Sequence, residues 1–183
     1  MEKLEYFNQM HIRAKFEGVD TLGAWCGMLL QHLPQELHER IKTFDEEKML
    51  KIKELMRVRI HFYRDMVNHA YFFTEPVYQT AIADKFLEKI KQSNKSKTVI
   101  LRDLASSFSF LKSFDSRSIS QSCALYLKEK GTAEGFKNED IYSLLRFAIT
   151  GNPVGAPVGD ICEIIGQEAT VKRLAAAELF LLS

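Results

Sequence analysis

The chain has 183 residues, 46% hydrophobic and 27% charged, an ordinary balance for a soluble protein with one good core or two small ones. Its formal net charge is +1, so binding to a polyanion cannot rest on bulk charge and must rest on where the basic residues sit. No apolar run approaches the roughly 20 residues that span a bilayer, which excludes a membrane-spanning helix and gives no reason to expect a membrane partner.

The chain opens on Met1-Glu2-Lys3-Leu4-Glu5, too acidic for a signal or transit peptide, and so abrupt a start is expected where an upstream region precedes. Only four prolines and nine glycines occur, and apolar residues recur at helical spacing almost throughout, which predicts an all-α fold. The segment from Ile52 to Val67 is predicted as one amphipathic helix. At about 100° per residue, Ile52, Leu55, Met56, Ile60, Phe62, Tyr63, Met66 and Val67 form an apolar arc. Lys53, Arg57, His61 and Arg64 form a basic stripe opposite, diluted by Glu54 and Asp65 alone. The plainer reading of that stripe is a solvated helix face.

Arg59 falls inside the apolar arc. Burying an unpaired guanidinium is costly, so Arg59 is either a snorkelling or salt-bridged residue at a subdomain seam or a donor held at a cleft rim to read an anion or a base edge. Further on, Ile82, Phe86, Leu87 and Ile90 make one apolar stripe; Leu101, Leu104, Ala105, Phe108 and Leu111 make another. Between them the polar run Lys91-Gln92-Ser93-Asn94-Lys95-Ser96-Lys97 is predicted as a linker, separating a helical unit of residues 1–92 from one of residues 98–183.

In the last third, Asn138 is predicted to cap a helix with Glu139 and Asp140 in its first turn and Ile141, Leu144, Leu145, Ala148 and Ile149 on its buried face. Gly151 and Pro153 end it. Three glycines and two prolines between Gly151 and Gly159 make a loop of small side chains, either a tight connector or a place where another molecule approaches the backbone. Asp160 and Glu163 stand at capping-box spacing for the next helix. Gly166 breaks that helix before a closing one predicted over Val171–Leu182.

Catalytic chemistry is not visible. There is no HExxH, CxxC, Walker loop or G-x-S-x-G. Cys26, Cys123 and Cys162 are isolated, which fits reduced, partly buried thiols. His11, His32, His38, His61 and His69 are scattered, and no metal site is expected.

The run LLRFAITGNPVGAPVGDICEIIGQEATVKRL resembles the C-terminal signature of bacterial-type glutamyl-tRNA synthetases, with Arg146, Thr150, Gly151, Gly166, Glu168, Arg173 and Leu174 in register. KLEYFNQMHIR, LMRVR and AYFFTE resemble three further segments of that family, in family order, so the likeness covers essentially the whole chain. The sequence departs from the family at Ala156, where proline is usual, at Phe114, which stands for a tryptophan, and in a longer stretch between Gly131 and Arg146. The resemblance implies a two-part helical anticodon-binding domain of the α-helix cage type, the tRNA-recognising region of a ligase that attaches glutamate to tRNA(Glu). Arg59 would read an anticodon base, and Gly155, Ala156 and Val158 would lie against the anticodon. Lys53, Arg57, Arg64 and Arg146 would meet phosphates.

The family's H-I-G-H and K-M-S-K-S elements are missing, so this segment is expected to be non-catalytic and to need no cofactor. ATP and Mg would belong to an upstream catalytic domain of the same enzyme, its other partner. A monomer is expected, in the bacterial cytoplasm or the mitochondrial matrix. The competing reading is a helical protein-interaction scaffold with no RNA role.

Overall fold

Three short polar residues set the starts of long helices. The side chains of Asp45, Ser93 and Asp115 accept the backbone N–H of Lys48, Ser96 and Ser118 at 2.8, 3.2 and 2.7 Å. Each satisfies an amide that a helix start leaves without an intrahelical partner. Hydrogen bonds from the Ser113 hydroxyl and the Ser118 amide hold the Asp115 carboxyl down at about 2.

The computed structural model describes residues 2–17, 22–90 and 93–183. In order they form α1 (Glu2–Glu17), α2 (Leu22–His32), α3 (His38–Lys42), α4 (Glu46–Arg57), a 3-10 segment (Tyr63–Phe72), α5 (Thr80–Leu87), α6 (Asn94–Ser109), α7 (Ser116–Tyr126), α8 (Asn138–Thr150), α9 (Val158–Ile165) and α10 (Gln167–Leu182). A one-turn 3-10 piece precedes α3, and a π-turn, Leu127–Gly131, extends α7. No described residue is in a strand, so the all-α reading holds.

Two compact units result, Met1–Thr74 and Glu75–Ser183. In the first, α1 and α2 pack with α4, and α2 and α4 with the 3-10 segment. Ile12, Phe16, Trp25, Leu29, Met49, Ile52, Met56 and Met66 are buried there, and the Phe16 and Trp25 rings meet at 5.0 Å. In the second, α10 runs against α6 and α8, while α7 packs on α9. Leu101, Leu104 and Phe108 of α6 are buried, as is the whole predicted face of α8. Cys123 and Cys162 are buried free thiols, and burial raises both to about 12, which keeps them protonated and inert.

The division expected at residues 92–98 falls instead at Thr74. Of the polar run taken as a linker, Lys91 and Gln92 lie outside the described residues, as does the Phe86 side chain. Ser93 is the cap of α6 and residues 94–97 are its first turn. Polarity there reflects the chemistry of a helix start, and Lys97 is buried with Nζ donating to Leu87 O at 3.2 Å.

Three other starts differ from expectation. Asn138 is the first residue of α8, and Asp140 closes its start by accepting the Lys137 amide at 2.8 Å. Helix α9 begins at Val158 after Pro157, and Glu163 forms no capping box with Asp160. It accepts the amide of Ser116 at 2.9 Å, at the start of α7. The closing helix begins at Gln167, four residues before Val171.

Gly151 ends α8 with φ +69°, and a Cβ there would lie 2.7 Å from the Val77 carbonyl oxygen. Gly151→Ala is therefore expected to cost more than the about 1–2 kcal/mol of left-handed backbone alone. Thermal unfolding checks this: a midpoint several degrees below the parent's is expected, and an unchanged one would mean the backbone at Val77 gives way freely.

Candidate nucleic-acid interface

Helix α4 stops at Arg57, ten residues short of the helix expected from Ile52 to Val67. The amides of Arg59 and Ile60 both turn back to Met56 O, at 2.9 and 3.0 Å, and Phe62 is extended. The Asp65 carboxylate accepts the amides of His61 and Phe62 at 3.0 and 2.8 Å and starts the 3-10 segment. A short carboxylate that captures nearby amides competes with continued helix. The apolar arc that enclosed Arg59 thus belongs to two elements, and its anomaly there disappears.

Arg59 is half-buried, and Nη1 donates to Leu55 O at 2.7 Å. That carbonyl lies in the last turn of α4, where intrahelical donors run out and the helix dipole is negative. One anchored N–H tethers the guanidinium at the helix end and leaves other donors of its fork for a ligand. Nearby, His69 is buried, with Nδ1 3.0 Å from the Tyr71 hydroxyl. Burial first, then the Arg59 charge, lowers its pKa to about 4, against an opposing pull from Asp65.

The basic stripe is not uniform. Arg57 donates from Nε to Glu54 at 2.9 Å and from Nη1 to Glu17 at 2.8 Å, a double ion pair joining α4 to α1. Arg64 is exposed, its guanidinium 4.6 Å from the centroid of the Phe62 ring. Lys53 is half-buried on α4. The exposed His61 is tied to α1 by its carbonyl, which accepts from Asn8 Nδ2, and its ring Nε2 is 3.2 Å from Gln9 Nε2.

In the second unit the loop between α8 and α9 is held from inside. Arg146 Nη1 donates to Ala156 O at 2.7 Å, while the Thr150 hydroxyl donates to Arg146 O and accepts the Asn152 amide at 3.0 Å. The end of α8 is closed by a half-buried and a buried donor: Tyr78 OH donates to Ala148 O at 2.7 Å and Arg173 Nη1 to Ile149 O at 2.9 Å. Arg173 Nε also faces Glu75 Oε2 at 3.4 Å. Ala156 and Val158 are buried and Gly155 half-buried, so the side chains expected against the anticodon point inward. The loop offers Pro153, Val154 and Pro157 to solvent instead, with Val154 72% exposed. Prolines and a valine in the short loop between a glycine cap and the next helix are the signal that would have found them.

Lys53, Arg57, Arg59 and Arg64 therefore share the first unit, and Arg146, Gly155, Ala156 and Val158 the second. Among the described residues no group of His, Cys, Asp and Glu could hold a metal ion, and no helix is long and apolar enough to cross a membrane.

A family model described as an anticodon binding domain matches residues 28–178. The chain belongs to that family. Glutamate–tRNA ligases share its sequence along nearly its full length: that of Chloroherpeton thalassium is 26% identical over 181 residues, 97% of this chain and 34% of the relative. That of Amoebophilus asiaticus is 28% identical over 178 residues, 97% of this chain and 31% of the relative. A crystal structure of a glutamate tRNA ligase from Elizabethkingia meningosepticum, in complex with its amino acid, superimposes with a TM-score of 0.74 at 25% identity, over 98% of this chain and 32% of that one. This anticodon-binding-domain chain spans about a third of the length of the curated relatives it matches, and the match is to their C-terminal part.

His69 binds its proton more weakly folded than unfolded, so its contribution to stability is intact above the unfolded value of 6.5 and lost as pH falls toward about 4. At about 1.4 kcal/mol per pH unit, the loss across that window is expected to be on the order of 3 kcal/mol. Urea unfolding at stepped pH checks it: His69→Gln should flatten the profile between those values. Arg59→Ala should raise the His69 pKa in an imidazole NMR titration, and an unmoved value would show the two groups to be uncoupled.

Proposed function

We propose that this chain is the tRNA anticodon-binding region of a glutamate–tRNA ligase, with tRNA(Glu) as its partner. The observation that carries the reading is the match to the anticodon binding domain over residues 28–178, coincident with glutamate–tRNA ligase relatives along 97% of the chain. Formation of the glutamyl adenylate, with its ATP and Mg, belongs to a catalytic domain upstream in the same enzyme. The enzyme acts as a monomer in the bacterial cytoplasm or the mitochondrial matrix.

Within this reading Arg59 donates to an anticodon base edge. Its guanidinium is restrained by the bond to Leu55 O, and a restrained orientation is what base discrimination requires. Lys53 and Arg64 meet phosphates. Arg57 and Arg146 act behind the surface, Arg57 through its carboxylates and Arg146 through the Ala156 carbonyl. Gly155 offers backbone to the anticodon, and Ala156 and Val158 shape the loop from below while Val154 makes the side-chain contact.

Titration of the chain with tRNA(Glu) and its anticodon variants, at several salt concentrations, tests this. Modest affinity that falls with salt is expected, because few phosphates are neutralised. Arg59→Ala should cost about 1–3 kcal/mol and blunt discrimination between anticodons, with a melt run beside it to exclude unfolding. Arg59→Lys keeps the charge but loses the fork, so discrimination should still suffer. No glutamate-dependent ATP–pyrophosphate exchange is expected. Equal affinity for cognate and altered anticodons in the parent chain would remove the reading and favour the protein-interaction scaffold.

A further inference from the structure

The first unit contains a recess of about 480 Å³ that none of the residues assigned above lines. Its walls come from three elements: Lys15 of α1, Ala24, Gly27, Met28, Gln31 and His32 of α2, and Tyr63 of the 3-10 segment. The His32 and Tyr63 rings lie face to face, 4.7 Å apart and within 6° of parallel. Gly27 leaves the α2 wall low, since a Cβ there would meet nothing within 4 Å. Among the described residues no carboxylate lines the recess, and Lys15 is its one cation.

We infer that this recess receives an unpaired nucleotide of the bound tRNA, its base stacked on the His32–Tyr63 pair and its phosphate beside Lys15. The proposal rests on the tRNA-binding reading and adds a contact independent of Arg59. Unpaired bases in RNA are recognised mostly by stacking on aromatic and guanidinium planes. The segment after α4 is rich in such planes: Tyr63 follows Phe62, whose ring already carries the Arg64 guanidinium. An anionic ligand with a flat polar ring fits the parallel rings, the lone cation and the missing carboxylates together. A purely apolar occupant would use neither His32 nor Lys15.

Filling the recess from Gly27 gives the cleanest test. Gly27→Leu meets no neighbouring atom at its Cβ and replaces a glycine in a helix interior, so the fold should be unharmed or slightly more stable. It is expected to weaken tRNA(Glu) binding by roughly fivefold or more, as loss of one base–aromatic stack would. Tyr63→Leu should weaken it similarly and Tyr63→Phe should not, because the ring rather than the hydroxyl does the stacking. Gly23→Leu, on the same helix but outside the recess, is the control and should bind like the parent.

If Gly27→Leu and Tyr63→Leu both bind as the parent does, the recess is not a nucleotide site although the chain still binds tRNA. If the parent itself shows no preference for tRNA(Glu) over heparin, the tRNA reading fails first and takes this one with it. Anticodon discrimination that survives in a weakened Gly27→Leu variant is expected, because Arg59 is left in place; its loss would mean the recess acts only through Arg59.

Discussion

A helix ends with backbone carbonyls that have no intrahelical donor, and the candidate sites of both units are built on how this chain meets that requirement. At the end of α4, Arg59 reaches back to Leu55 O; at the end of α8, Arg173 reaches Ile149 O while Tyr78 reaches Ala148 O. Arg146 does the same for a loop carbonyl, at Ala156. For each of the three arginines the guanidinium is bound to backbone, so its position depends on a main-chain carbonyl as well as on its flexible side-chain stem. The favourable meeting of positive charge with the negative end of the helix dipole reinforces the choice of arginine.

This constraint bears directly on recognition. A donor that discriminates between bases must hold its plane to within a fraction of an ångström, and rigidity set by backbone is the most dependable source of it. Arg59 has that support and stays half-exposed. Arg173 has more of it, being fully buried, and is confined to holding Glu75, Tyr78 and the α8 end together. The loop at 152–157 then rests on a fixed base, with the left-handed Gly151 at one side and the Arg146 clamp beneath. One type of side chain is therefore a brace where it is buried, as at Arg173, and under the proposed function a reader where it stays half-exposed, as at Arg59.

Much of the fold was legible in the sequence because helical periodicity survives wherever a helix packs on one side. The buried face of α8 and the glycine at its end fall where the pattern puts them. What was not legible is local competition for amides. Asp65 stops what periodicity would continue, and nothing in the apolar spacing between Ile52 and Val67 distinguishes one helix from two. Ser93 and its polar neighbours look like a linker because caps and linkers share a composition. The family likeness singled out Arg59 and the loop as places of interest. It could not tell that Ala156 and Val158 face inward, since burial of a small residue in a loop depends on a clamp ten residues away, or that His32 and Tyr63 meet across 31 residues.

Chemical footprinting of tRNA(Glu) bound to the chain tests the central claim most directly, because it reports which nucleotides the protein covers. Protection concentrated on the anticodon loop, weakened there in Arg59→Ala, is what the structure leads us to expect. Protection spread evenly along the helical stems, or confined to the acceptor end, would contradict it.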